Sequence, residues 1–379
     1  MKDKPQLNDI NLGVIGFGSF AMFALQQFLQ IPEVKLKGMS GTHREAAFRA
    51  AERYGVKEIK SIAEMLKSKE INLVYISTPP FLHYSHAMSA LRAGKHVIVE
   101  KPLALTLKQA NEMIAEAKRK NLLITANLMQ RYNPLYDKIQ ELIDSSILGE
   151  LLHAYFENYA SDEALPMDHW FWDREKSGGI FIEHSVHFFD MFEGWLGKGI
   201  VESAQISRRS DSKIEDQAQC TIRYKNNILV NFYHGFTQTK RMDRQEMRFI
   251  FEKGDITLYG WIPNQVKIHA ISDESEMKII SGIFSPNPRI NVLYKYDGGE
   301  RLAMARGKNF EIYQQYELIY KENDYKMKLY GRLLRSLIED QIAWINNKNH
   351  QRKITEINGK NSLSMAIEAD RLAHRNPIK

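Results

Sequence analysis

Short apolar runs alternate with amphipathic stretches through roughly the first 145 residues. Leu12–Ile15 is an apolar run, followed by an amphipathic segment from Phe20 to Leu29 that Pro32 breaks. Val34–Met39 reads as a second strand and Arg44–Tyr54 as a helix closed by Gly55. The alternation continues with strand Ile71–Ser77, helix Leu82–Ala93 closed by Gly94, strand His96–Val99 and helix Leu107–Lys120. Strand Leu122–Ala126 and helix Leu135–Ile143 complete it. Uninterrupted apolar runs fit strands covered on both faces, and strand–helix units of about 25 residues predict a parallel α/β sheet.

Near Gly149 the pattern changes. Leu151–Tyr159 is strand-like, a helix led by two glycines runs from about Gly179 to Leu196, and longer strands follow at 201–208, 218–224, 228–236, 246–252 and 256–259. Lys225-Asn226-Asn227 and Lys253-Gly254-Asp255 read as hairpin turns, so this half is α+β with an open, mainly antiparallel sheet. The polar stretch from about Ser272 to Lys308 reads as loops or edge strands, and helices are expected around Lys328–Trp344 and Leu363–Ala373. The expected domains are 1–146 and 147–360, with a last helix at 361–375 packing back on the first.

The 379 residues suit two cores. With 44% hydrophobic and 26% charged residues the chain resembles ordinary globular proteins, and no apolar stretch is long enough to span a bilayer. The polar start, with no apolar core before Gly13, is not a secretory signal, and a single cysteine, Cys220, allows no internal disulfide. A cytoplasmic protein is expected. The net charge of +6 arises from 52 basic residues spread among 46 acids, which argues against a nucleic-acid surface.

The first strand ends in Gly16-Phe17-Gly18-Ser19-Phe20-Ala21, a G-x-G-x-x-A turn entering a helix. The first glycine makes the turn, the second admits a pyrophosphate, Ala21 permits close packing, and the helix start supplies amide donors. The second strand runs into Met39-Ser40-Gly41-Thr42-His43-Arg44, with no acid before Glu45. Hydroxyls and Arg44 suit a 2′-phosphate where an Asp would repel it, so NADP is favoured over NAD. Ser77-Thr78-Pro79-Pro80, with His83 beyond, and Glu100-Lys101-Pro102 close later strands at the rim where open α/β sheets bind ligands. Thr78 also fits a plain helix cap. A Lys at such a rim can hydrogen-bond a substrate oxygen, and Pro102 raises the prospect of a cis bond. Candidate cofactor residues are therefore Gly16, Gly18, Ser19, Phe20, Ser40, Thr42, Arg44, Ser77, Thr78, Pro79, His83, Glu100, Lys101 and Asn127.

In the second half, the stretch Ser177–Asp190 carries Glu183 and His187 at i, i+4, on one helical face. A carboxylate beside an imidazole orients it and raises its basicity, as a general base requires; a core histidine is the plainer alternative. Glu183, His184, His187 and Asp190 do not complete a metal set, so none is expected. Cys220 reads as packing.

Together these stretches resemble the glucose–fructose oxidoreductase / inositol dehydrogenase / MocA family. The resemblance covers most of the chain: Gly16-Phe17-Gly18, "STPPFLHYSHAMSALRAGKHVIVEKPLALT", Arg131-Tyr132-Asn133-Pro134, Gly149 and "SGGIFIEHSVHFFD". It implies a Rossmann domain followed by an open-faced sheet domain that carries substrate and often an oligomer interface. It assigns catalysis to Lys101, Glu183 and His187, and its NADP-using members share the "SGTHREA" pattern. Two departures stand out. The family's Asp is Glu183 here, about 1.5 Å longer in reach, and the Trp-Arg that many members carry before the glycine pair is Trp170-Phe171.

The expected function is hydride transfer between a nicotinamide cofactor and a sugar, polyol or related compound, acting as a homo-oligomer through the C-terminal sheet. His187 would take the hydroxyl proton, Lys101 would bind the same oxygen, and Glu183 would orient the imidazole. Tyr155, Tyr159, Trp170 and Trp172 are candidates to stack on sugar C–H faces, with Tyr155 and Trp172 foremost. Alternatives are a retained-NAD hydrolase or lyase using transient oxidation, and a non-catalytic NAD(P)-sensing regulator.

Overall fold

In the structure, a computed structural model, β1 (Ile10–Ile15) lies between β2 (Val34–Ser40) and β3 (Leu73–Ile76). β4 (His96–Val99) and β5 (Ile124–Ala126) complete a parallel sheet in the order β2-β1-β3-β4-β5. The structure describes residues 9–41, 48–49, 52–55, 61–210 and 212–375. Because the chain leaves β1 toward one edge and returns to the other side at β3, the ends of these two strands form a topological switch point, where such sheets bind ligands.

Strands β3 and β4 are almost wholly buried, consistent with their unbroken apolar runs. The helix α1 (Ser19–Phe28) buries Ala21, Ala24, Leu25 and Phe28, spaced along one face. Phe28 meets Tyr75 of β3 edge-on at 5.0 Å. Among the described residues, α2 (Ile62–Lys67), α3 (His83–Arg92), α4 (Leu107–Arg119) and α5 (Pro134–Ser145) follow. At six residues, α2 is too short to show a hydrophobic period; its start is fixed by a Ser61/Glu64 capping box. The expected helix over 44–54 lies partly outside the described residues.

Two compact units result, and both are discontinuous in sequence. The first comprises residues 1–132, 167–190 and 330–370; the second comprises 133–166, 191–329 and 371–379. A single cut after residue 146 would place α5 with the parallel sheet. In the structure it belongs to the second unit, where Tyr136 stacks on Trp195 at 4.8 Å and the Trp195 indole donates to the Tyr136 carbonyl. The last helices, α8 (Lys326–Asn346) and α9 (Glu356–Arg375), return the chain to the first unit from Tyr330 to Asp370. There Gly359 of α9 lies so close to the sheet that an added Cβ would stand 3.1 Å from Ala126 and 3.2 Å from Leu103.

The second unit is built on nine strands, β6 (Leu151–Ser161), β7 (Ile200–Arg208), β8 (Glu215–Arg223), β9 (Leu229–Gln238), β10 (Arg244–Phe251), β11 (Gly254–Tyr259), β12 (Gln265–Ser272), β13 (Arg289–Lys295) and β16 (Gln314–Lys321). Their order is β13-β16-β12-β11-β10-β6-β9-β8-β7. The pairing is antiparallel except between β6 and β9, which run parallel. Both expected hairpins form, joining β8 to β9 and β10 to β11. The segment 272–308 holds more structure than its polarity suggests. Helix α7 (Glu274–Ile283), fixed by an Asp273/Glu276 capping box, precedes the exposed edge strand β13, and a small ribbon pairs β14 (Leu302–Ala305) with β15 (Lys308–Glu311).

Helix α6 (Val186–Leu196) carries Phe192 and Trp195, which pack with Phe232 and Phe249 at centroid distances of 5.0–5.4 Å. Removing the fully buried Phe192 ring leaves a void that this aromatic cluster cannot refill. Phe192→Ala is expected to lower stability by about 3–5 kcal/mol in urea unfolding.

Candidate active site

The turn after β1 is shaped by two glycines with different physical roles. Gly16 has φ +111°, and a Cβ there would lie 2.2 Å from the Ser77 carbonyl oxygen, so β1 and β3 approach too closely for any side chain. Gly18 has ordinary extended geometry and nothing within 4 Å of an added Cβ. It caps α1 without any side-chain hydrogen bond, which leaves the first-turn amides with no side-chain acceptor at the cap. Phe20 turns away to pack on Tyr330 at 5.8 Å. Ser40 is buried, and its carbonyl accepts from the Gly16 amide at 2.9 Å. Thr42 and Arg44 lie outside the described residues.

At the end of β3, Pro79 caps the one-turn helix Pro80–Leu82 that leads into α3, so Thr78 is not the helix cap; its hydroxyl lies 3.3 Å from His86 Nδ1. His83, expected at the cofactor, is instead fully buried between two strand ends. Its Nδ1 is 2.8 Å from the Pro102 carbonyl and its Nε2 is 2.8 Å from the Thr78 carbonyl. Full donation to both carbonyls requires the imidazolium, yet burial pulls its pKa down to about 4. At neutral pH one contact is thus a hydrogen bond and the other a close approach. Either way, His83 braces the loop that carries Lys101.

The end of β4 presents Glu100 and Lys101, joined to Pro102 by a cis peptide bond. The Glu100 carboxylate accepts from the Tyr75 hydroxyl and from Asn127 Nδ2, the latter at 2.7 Å, while burial raises its pKa. The Asn127 side-chain carbonyl is buried with no hydrogen-bond partner. Lys101 Nζ donates to Glu183 Oε1 at 2.5 Å and to the Glu183 main-chain carbonyl at 2.8 Å. An ammonium has three donors. Two are committed to one residue and one remains.

Glu183 and His187 arrive by an unusual route. After Gly178 and Gly179, with φ +83° and +86°, residues Phe181–Ser185 form a π-helical turn that runs into α6. A π turn holds more residues than an α turn, so the simple i, i+4 alignment of Glu183 with His187 is altered. The carboxylate expected to brace the imidazole forms its ion pair with Lys101. His187 is 4% exposed, and its pKa is pushed well below the usual 6.5 by burial and then by the Lys101 charge. It is a neutral imidazole at physiological pH.

Other expectations resolve differently. Trp172 is half-buried in the turn Trp170–Trp172 and meets Phe171 edge-on at 4.9 Å; Phe171 is itself buried and fills core. Tyr155 belongs to the second unit. Its hydroxyl donates to Glu246 at 2.8 Å, and burial followed by that bond raises its pKa to about 12. No metal-binding cluster occurs among the described residues. The sequence did not single out Tyr75 as the partner of Glu100, because a Tyr within an apolar strand looks like packing.

The comparisons with known proteins decide the lineage. An oxidoreductase family with an NAD-binding Rossmann fold, glucose–fructose oxidoreductase / inositol dehydrogenase / MocA, matches residues 10–128, and the C-terminal domain of the same family matches 136–257. The chain belongs to this family. It is 27% identical over 237 residues to a 1,5-anhydro-D-fructose reductase of Ensifer adhaerens, covering 59% of this chain and 69% of that protein. Its fold matches a levoglucosan dehydrogenase in complex with NADH and L-sorbose, with TM-score 0.76, 18% identity and 97% of each chain covered. It also matches a 3-ketoreductase of Actinomadura kijaniata in complex with NADP, with TM-score 0.73, 17% identity, and 96% and 98% covered. This member of the oxidoreductase family retains what a nicotinamide dinucleotide needs: an uncapped helix start, an open Gly18 and an unpaired Asn127 carbonyl.

The two glycines separate fold from binding. Gly16→Ala is expected to cost more than about 2 kcal/mol of stability and to abolish NADPH binding. Gly18→Ala, compatible with its backbone, should change stability by less than about 0.5 kcal/mol yet weaken NADPH or NADH binding. Thermal unfolding paired with cofactor fluorescence titration checks both.

Proposed function

We propose that this oxidoreductase transfers hydride between NADP and a hydroxyl or carbonyl carbon of a sugar, polyol or related compound. The observation that carries the reading is Lys101, held by two bonds to Glu183 with one donor left, in the electrostatic reach of a buried neutral His187. The nicotinamide ring, when bound, supplies or accepts the hydride.

The chain's own residues handle the oxygen and its proton. In the oxidising direction the neutral His187 accepts the hydroxyl proton, and the free Lys101 donor bonds the same oxygen as charge develops on it. Glu183 keeps the ammonium in place and balances its charge. In the reducing direction the same Lys101 donor bonds the forming alkoxide and passes it a proton that the amine regains from solvent, His187 remaining neutral. Gly16, Gly18, Ser19 and the start of α1 receive the pyrophosphate; Ser77, Thr78, Pro79, Glu100 and Asn127 line the inner end.

NADP is favoured because Ser40-Gly41-Thr42-His43-Arg44 offers hydroxyls and a guanidinium with no carboxylate to repel a phosphate. The open face of the second unit's sheet, where Tyr155, Tyr159 and Tyr233 alternate with buried positions, is the surface we assign to homo-oligomerisation. Light scattering of the purified protein checks this. A cytoplasmic setting agrees with the single, buried cysteine.

Turnover of NADPH and NADH against a panel of sugars, polyols and keto-sugars tests the reading. Lys101→Ala and His187→Gln are each expected to lower kcat by about 10²–10⁴; undiminished turnover in either variant would sink it. Since burial keeps His187 neutral, kcat/KM for oxidation should show no titration near 6.5. Any acid limb should lie well below that value. Arg44→Ala is expected to weaken NADPH about tenfold or more, leaving NADH binding unchanged.

A further inference from the structure

Arg131 stands in the "RYNP" stretch, to which the chemistry above gives no role. It lies in the short turn Met129–Tyr132 that follows β5. Its guanidinium grips Asp190 with two bonds, Nε to Oδ2 at 2.9 Å and Nη2 to Oδ1 at 3.0 Å. Asn358 of α9 adds a third, Nδ2 to Oδ1 at 3.0 Å. The Asp190 side chain is 2% exposed and that of Arg131 12%, so this is a desolvated, forked pair rather than a surface contact. All these groups lie in the first unit.

The π turn ends at Ser185, two residues before His187, and Asp190 stands about one helical turn beyond His187. A π turn has a competing α-helical register, and moving to it by one residue would rotate everything downstream by about 100°. Such a rotation would carry the imidazole off the Lys101 side of the helix. The π turn therefore keeps its place only if the chain is pinned both within the turn and beyond it. Within it the pin is Glu183 on Lys101. Downstream it is Asp190 on Arg131.

We propose that Arg131 is a positioning residue for His187, setting the rotation of the first turn of α6 through its forked bond to Asp190. The proposal rests on His187 as the proton-handling residue only for its catalytic consequence; the position of the ring can be read separately.

The test is acylation of histidines in the full-length protein by diethyl pyrocarbonate, followed residue by residue by mass spectrometry. In the parent protein His187 and His83, both buried in the first unit, are protected. In Arg131→Gln, His187 should react roughly tenfold faster through local opening, while His83 stays protected and NADPH binding stays within about twofold. Arg131→Lys, which keeps the charge but loses the fork, should restore part of the protection. It also decides the matter if the Gln variant does not fold, by showing His187 more reactive than in the parent. Folded variants with unchanged His187 protection, or with His83 exposed equally, would overturn the proposal. His187→Gln turnover tests the catalytic reading independently: retained activity there would remove the consequence but not the positioning.

Discussion

The pairing of Lys101 with Glu183 is the constraint on which the site depends. Both side chains are largely removed from water, at 17% and 11% exposure, so each charge would be costly alone. Together they also satisfy hydrogen bonds: the ammonium takes the Glu183 carboxylate and main-chain carbonyl, which fixes its direction as well as its charge. The pair joins the end of β4 to a turn 82 residues further along the chain. Its length also explains the residue type. An Asp at 183 would be shorter by about one C–C bond (~1.5 Å), so the Glu and its π-turn backbone belong to the same solution.

Around this pair the rim is braced mostly by groups that need not touch substrate. His83 spans the Thr78 and Pro102 carbonyls, and Tyr75 and Asn127 hold the Glu100 carboxylate. Under the proposed mechanism, such partners would keep Lys101 within the narrow tolerance that proton and hydride transfer require. The buried histidines add a pH signature. His83 and His187 are neutral in the fold and bind protons more readily when unfolded. Their contribution to stability is complete above 6.5 and is lost as pH falls through that value toward their depressed folded values.

Much of this was legible in the residues. The strand-to-helix alternation before residue 130 gave the parallel sheet, because strands buried on both faces must be apolar throughout. The G-x-G-x-x-A turn and the Glu-Lys-Pro strand end located the rim for the same reason. Less legible were features set by partners distant in sequence. His83 looked like a rim ligand because sequence shows only its distance from the Pro-Pro turn, not the two carbonyls that enclose it. Helical spacing put Glu183 beside His187, since nothing in "FIEHS" announces a π turn. Strand β12 alternates cleanly as Gln265–Ser272, yet no strand was expected there, because its charged and polar outward positions interrupt the apolar run. The units interleave because α5, α6, α8 and α9 answer to tertiary packing that local pattern does not report.

Hydride transfer at this rim makes one demand on the product. With a substrate found to turn over, the enzyme should be run with NADPH carrying deuterium on the transferring face of nicotinamide C4, and the product analysed by mass spectrometry and NMR. The account predicts one deuterium per NADPH oxidised, bonded to the carbon that bears the new hydroxyl, with none exchanged from solvent. Product formed without deuterium at that carbon, or a bond cleaved with no net oxidation of NADPH, would contradict it.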